Sequence, residues 1–106
     1  MRCNGGGAGV ANFYETKVWK RKRERIMRRD KYLCQYSKRY GKLIPAQTVH
    51  HILPFDEYPE YGLADWNLIA LSHEAHNKMH SRHTKDLSNE GKKLAEKVAV
   101  MRGLEL

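Results

Sequence analysis

Five of the six histidines in this 106-residue chain fall between His50 and His80, and their spacing constrains the fold more than any other feature. His76 and His80 are four apart, so on a helix they project from one face and can bind one ion together. His50 and His51 are adjacent. On a strand they point to opposite sides, while at a strand end or turn both can reach one cleft. This pair would give a single metal-centred site a third ligand and a free imidazole.

A chain of this length makes one small domain with a modest core. The formal net charge is +8. That excess must be solvated or matched by a polyanion, which makes nucleic acid the first partner to expect. No apolar run approaches a membrane span and the opening residues carry no signal-peptide core, so no membrane partner and a cytoplasmic location are expected. Cys3 and Cys34 make no disulfide framework, in keeping with a reducing compartment.

Residues 1–12 include Asn4-Gly5-Gly6-Gly7-Ala8-Gly9, where the entropy lost by ordering glycine predicts a flexible arm. Residues 13–106 then read as one domain. Residues 15–30 predict a helix with a narrow apolar stripe of Val18, Trp19, Ile26 and Met27. From Lys17 to Lys31, nine Lys or Arg stand against Glu24 and Asp30. Like charges at i and i+4 repel, and a phosphate backbone relieves that cost, so Lys20, Arg21, Arg25 and Arg28 are the expected nucleic-acid contacts.

Short extended pieces follow. Residues 33–36 and 46–52 predict strands separated by a basic turn over 38–42, and Pro45 and Pro54 bracket the second. An acidic, aromatic loop runs over 55–65 and a short apolar piece over 66–71. Ser72 caps a helix reaching to about His83, and Ser88 caps a last helix with Leu94, Val98 and Met101 on its packing side.

The ordered series of strand, His50-His51, loop, Asn67, and helix with His76-x-x-x-His80 resembles the ββα-metal core of the HNH endonucleases, with His51, Asn67 and His76 as the three letters. The lead-in is similar to the small phage-type members: an aromatic before a Trp-bearing basic helix, Arg29-Asp30 before Leu33-Cys34, then Val49-His50-His51-Ile52 and Pro54. The resemblance covers about residues 13–83, with the core at about 33–83. It implies an α+β fold in which a basic N-terminal helix and a C-terminal helix flank a ββα-metal core. Many such members carry two Cys-x-x-Cys knuckles around a structural zinc. Here they read Cys34-Gln35-Tyr36-Ser37 and Ser72-His73-Glu74-Ala75, so three of four thiols are missing and no structural zinc is expected. The last helix and Tyr32, Tyr36 and Tyr40 are the candidates to replace that staple.

By the same resemblance, His50, His76 and His80 would hold one divalent ion, Mg²⁺, Mn²⁺, Ni²⁺ or Zn²⁺, and His51 would be the general base. Asn67 would work indirectly, its amide bonding the backbone of the loop that carries His51. The ion neutralises charge on the scissile phosphate and on the departing oxygen, while an imidazole titrates near the pH at which it must take a proton from water. The implied substrate is duplex DNA approached through its backbone with weak sequence preference, and the implied setting is beside phage terminase and portal proteins. Two readings compete: a non-catalytic DNA-binding module with a structural metal, and an RNA nuclease or binder. An unligated His51 beside a ligand argues against the first, because a structural site has no use for it.

Overall fold

The computed structural model describes residues 13–80 and 87–104. The Gly-rich arm over 1–12 with Cys3, residues 81–86 with His83, and residues 105–106 lie outside the described residues. The elements are helix α1 (Lys17–Arg29), a single turn α2 (Gln35–Lys38), strand β1 (Thr48–His51), strand β2 (Leu68–Leu71), α3 (His73–Lys78) and α4 (Asn89–Arg102). The two strands pair antiparallel, with Val49 opposite Ala70 and His51 opposite Leu68. This is the expected α+β arrangement, a two-stranded sheet with helices around it. Among the described residues no helix is long and apolar enough to cross a membrane.

Helix α1 starts where Thr16 accepts a hydrogen bond from the Trp19 N–H, and Arg28 and Arg29 occupy its last turn near the exposed carbonyls. Trp19, Ile26 and Met27 pack against Val49, Leu68 and Ala70 of the sheet. Val18 is 54% exposed and leaves the expected stripe. It lies one residue, or about 100°, from Trp19, and so turns off the row that packs on the sheet.

The expected strand over 33–36 is not formed. Leu33 makes an isolated bridge to Pro45, and Cys34 then caps α2. The Gln35 amide donates to the carbonyls of Asp30 and Leu33, which turns the chain after a single ladder position. The basic turn is present, closed by Gly41 at φ 77.

The four positions of the knuckles come together without four thiols. Ser37 donates to the Cys34 sulfur at 3.4 Å, and Cys34 packs with Leu71, Ala75 and Met79. Burial pushes the Cys34 thiol up, and contacts with Ser37 and Ser72 outweigh it and hold the group below its ordinary value. Of the aromatics considered as a replacement staple, Tyr36 donates to Glu90 of α4 at 2.5 Å, whereas Tyr32 and Tyr40 are exposed. Leu94 of α4 and Tyr36 cover the cluster. Cys34→Ser is therefore expected to cost on the order of 1–2 kcal/mol, because the new hydroxyl finds partners in Ser37 and Ser72. Urea unfolding measures it, and a tightly held zinc lost together with the fold in this variant would contradict the account.

Helix α3 is capped by Ser72, which accepts from the Ala75 N–H, and it ends at Lys78, short of the expected His83. The backbone of 87–88 intervenes: Ser88 N–H donates to the Met79 carbonyl at 2.9 Å, and His80 bridges Leu87. Ser88 caps α4 as expected. The buried face of α4 is Gly91, Ala95 and Ala99, flanked by Leu94 and Val98, while Met101 is 74% exposed and drops out of the packing side. A Cβ at Gly91 would lie 2.2 Å from the Met79 carbonyl oxygen, so this glycine lets α4 close on the end of α3.

Candidate active site

Strand β1 separates the adjacent histidines. His50 faces His76 and His80, with ring centroids 5.1 and 5.4 Å away, while His51 faces α1 and stacks on Trp19 at 5.1 Å. Of the two geometries open to an adjacent pair, a shared cleft or opposite faces, the strand alternation holds. One nitrogen from each of His50, His76 and His80 lies within 4.8 Å of the others. His50 and His76 are fully buried, and His80 Nε2 is buried with no hydrogen-bond partner among the described residues. His73 is exposed on α3 and stands outside this group.

Burial, followed by the neighbouring imidazoles, holds His50 well below its usual range, and the same causes push His76 down to about 4. Burial lowers His80 as well. Three neutral imidazoles at one point, one with an orphaned nitrogen, fit a divalent ion, which would take the lone pairs that burial keeps unprotonated.

His51 is fully buried. Its Nε2 lies 3.0 Å from the Gly62 carbonyl oxygen, which can only accept, so Nε2 carries the proton and Nδ1 keeps its lone pair. Tyr14 Oη stands 3.4 Å from Nδ1. Burial holds His51 below its ordinary value, partly offset by the Gly62 contact. Gly62 leaves room for the Phe55 ring, which a Cβ there would meet at 2.4 Å and have to displace.

Asn67 closes the 3₁₀ turn Asp65–Asn67 and is buried. Its Oδ1 accepts from the Leu53 N–H at 2.7 Å, and its Nδ2 donates to the carbonyls of Leu53 at 3.2 Å and Tyr61 at 3.1 Å. The amide thus ties the exit of β1 to the loop whose Gly62 carbonyl holds His51. Arg29 anchors the same turn from α1, donating to the Asp65 and Leu68 carbonyls at 2.7 and 2.6 Å, while Asp30 accepts from the Ala70 N–H at 2.9 Å. In sequence the Arg29-Asp30 pair stands out only as part of a lead-in. The contacts of Tyr14 and Gly62 leave no sequence signal, because each is a fold-level approach to His51.

Lys20, Arg21, Arg25 and Arg28 are all exposed on α1, which covers the sheet face opposite the imidazole cluster. Arg25 pairs with Asp65 at 3.1 Å and Arg28 with Glu24 at 3.2 Å. Among the described residues Lys20 and Arg21 form no ion pair. The structure therefore does not gather the four with the histidine cluster; it presents them as a separate cationic face.

No protein-family model and no curated protein sequence matches the chain. Among solved structures it is similar to the HNH endonuclease of the deep-sea thermophilic bacteriophage GVE2, whose crystal structure contains a manganese ion. The TM-score is 0.64 and the identity 32%, over 65% of this chain and 75% of that one. With the paired strands, the histidine cluster at the following helix and this level of identity, the chain belongs to the HNH endonuclease family.

Proposed function

We propose that the protein is a metal-dependent endonuclease that hydrolyses phosphodiester bonds in duplex DNA, with residues 13–106 as one nuclease domain. The observation that carries this reading is the division of labour along β1. His50 joins His76 and His80 in a group able to hold an ion, while His51 is held apart with its Nδ1 lone pair facing the Tyr14 hydroxyl.

When bound, the ion neutralises charge at the phosphate and at the departing 3′ oxygen. An all-imidazole donor set favours Zn²⁺ or Ni²⁺ over Mg²⁺, and Mn²⁺ is the ion in the GVE2 enzyme. His51 Nδ1 takes a proton from water as the water oxygen bonds to phosphorus, and the P–O3′ bond breaks with its electron pair leaving on O3′. Asn67 fixes the loop backbone on which the orientation of His51 depends.

The test is incubation of the purified protein with supercoiled plasmid and each divalent ion, with and without chelator. Nicking that chelator abolishes is expected. The full burial of His51 is the observation that favours the competing structural-metal reading. An intact plasmid with every ion would put that reading ahead, and cleavage of RNA with DNA spared would make the protein an RNA nuclease. The resemblance to phage-type members extends the proposal to a role beside terminase and portal proteins in the cytoplasm, which co-purification with either protein would test.

The cationic face of α1 supplies the DNA affinity in this reading. Affinity for uncleaved DNA is expected to fall steeply with salt and to depend weakly on sequence. Neutralising any one of Lys20, Arg21, Arg25 and Arg28 should lower the log–log slope by roughly one unit, less for Arg25 and Arg28, whose carboxylate partners already compete. An unchanged slope in the four-fold variant would place the contacts elsewhere.

A further inference from the structure

We propose that Tyr14 is the positioning residue for the hydrolytic water, its hydroxyl standing where that water must be received at Nδ1 of His51. The inference rests on the reading of His51 as the base. Trp19 stacks on the imidazole at 5.1 Å, Phe55 lies at 5.4 Å and Phe13 at 6.0 Å, and the Nε2 end is closed by the Gly62 carbonyl. A flipped ring would leave that buried carbonyl without its donor. Nδ1 is thus the end that can receive water, and the hydroxyl facing it belongs to Tyr14 at 3.4 Å.

The distance identifies what the hydroxyl does. It is longer than the usual O–H···N bond of about 2.8 Å, so the contact is weak and readily exchanged. It is also too short for a bridging water, whose two hydrogen bonds of about 2.8 Å at a near-tetrahedral angle set the flanking atoms roughly 4.5 Å apart. Admitting one water requires Tyr14 to withdraw by about 1 Å. Tyr14 lies in the half-buried turn ahead of α1, whose Phe13 carbonyl accepts from Thr16 N–H and Oγ1 at 3.1 and 2.7 Å. Its ring packs edge-on against Phe13 and Trp19 at 5.3 and 5.4 Å, so the shift is a movement of the phenol within that aromatic cluster.

A water in that gap gives one hydrogen to Nδ1 and the other to Tyr14 Oη. Its lone pairs are then directed away from the protein, toward the phosphorus. The full burial of His51 is, on this account, the closed form of a site that opens for one molecule.

The experiment compares wild type, Tyr14→Phe and Tyr14→Ala by plasmid nicking under single-turnover and steady-state conditions. Melting and calorimetric ion titration are run on each, and the ¹⁵N resonances of His51 are recorded. Tyr14→Phe keeps the ring and removes only the hydroxyl. Its kcat should fall by about 10–100-fold, the order expected of a misplaced reactant, with KM, ion affinity and melting unchanged. The Nδ1 resonance of ion-free Tyr14→Phe should move downfield as its hydrogen-bond donor is lost, a readout that needs no turnover. Tyr14→Ala should be at least as slow. If Tyr14→Phe cuts at the wild-type rate, or Tyr14→Ala cuts faster than wild type, the hydroxyl is only a plug or packing and the proposal is overturned while the nuclease reading stands. If wild type itself nicks nothing, both fall together.

Discussion

His51→Ala is expected to lower plasmid hydrolysis by about 10²–10⁴, the usual contribution of a general base, while ion affinity and DNA binding stay near wild type. The separation follows from β1, which turns His51 toward α1 and His50 toward α3, so the first can be removed without touching the imidazole cluster. Removing a buried ring from between Trp19 and Phe55 leaves a cavity that costs on the order of 2–4 kcal/mol, so the assay belongs well below the melting transition. His51→Gln gives a second arm. Its amide can still donate to the Gly62 carbonyl and fill most of the cavity, yet it cannot take a proton, so it should be as slow as alanine and more stable. Calorimetric ion titration and plasmid nicking on the same preparations decide the matter. Should His51→Ala lose the ion, or either variant cleave at the wild-type rate, His51 is not the base.

The histidine cluster is legible in the sequence because its signal is local. The spacing of His76 and His80 points to one helical face; the structure brings the two rings together although α3 ends at Lys78 and His80 lies in the bridge to Leu87, while Ser72 and Ser88 mark helix starts that the structure confirms. The spacing of Trp19, Ile26 and Met27 likewise identifies the buried side of α1. What the sequence misplaces turns on approach between elements. Leu33-Cys34-Gln35-Tyr36 is too short for periodicity to separate strand from turn, and Gln35 decides it by bonding carbonyls behind it. Helix α3 stops at Lys78 because the backbone of Leu87 and Ser88, remote in pattern, pairs with Met79 and His80.

The same limit applies to the surroundings of His51. Its neighbours Phe13, Tyr14, Trp19, Phe55 and Gly62 come from three stretches of chain, and nothing in their spacing says they meet. The carbonyl of Gly62 fixes the tautomer that the proposed base would need, and a backbone oxygen carries no sequence signature. The side-chain role expected of Asn67 comes from the resemblance, and the amide does bond the backbone of Leu53 and Tyr61.

His76→Ala should behave unlike His51→Ala, with ion affinity and turnover falling together. Loss of one of three imidazole donors should weaken the ion by about 10²-fold or more, since disturbing even the groups behind a ligand costs about 10–100-fold. High Mn²⁺ or Mg²⁺ should recover part of the rate. The same variant tests the protonation of the cluster without any turnover. His76 is pushed from 6.5 down to about 4 in the folded protein, so the unfolded chain binds its proton first as pH falls. The contribution of His76 to ion-free stability is therefore fully present above about pH 6.5 and is lost progressively on the way down to about 4, on the order of 3 kcal/mol in all. In chelator, urea unfolding of wild type should weaken across that window, and His76→Ala should weaken less. Added ion should steepen the wild-type dependence, because each bound imidazole must stay unprotonated. Equal pH dependence of the two proteins in chelator would mean that burial does not hold His76 neutral on the way down to pH 4, while the ion titration decides its role as a ligand.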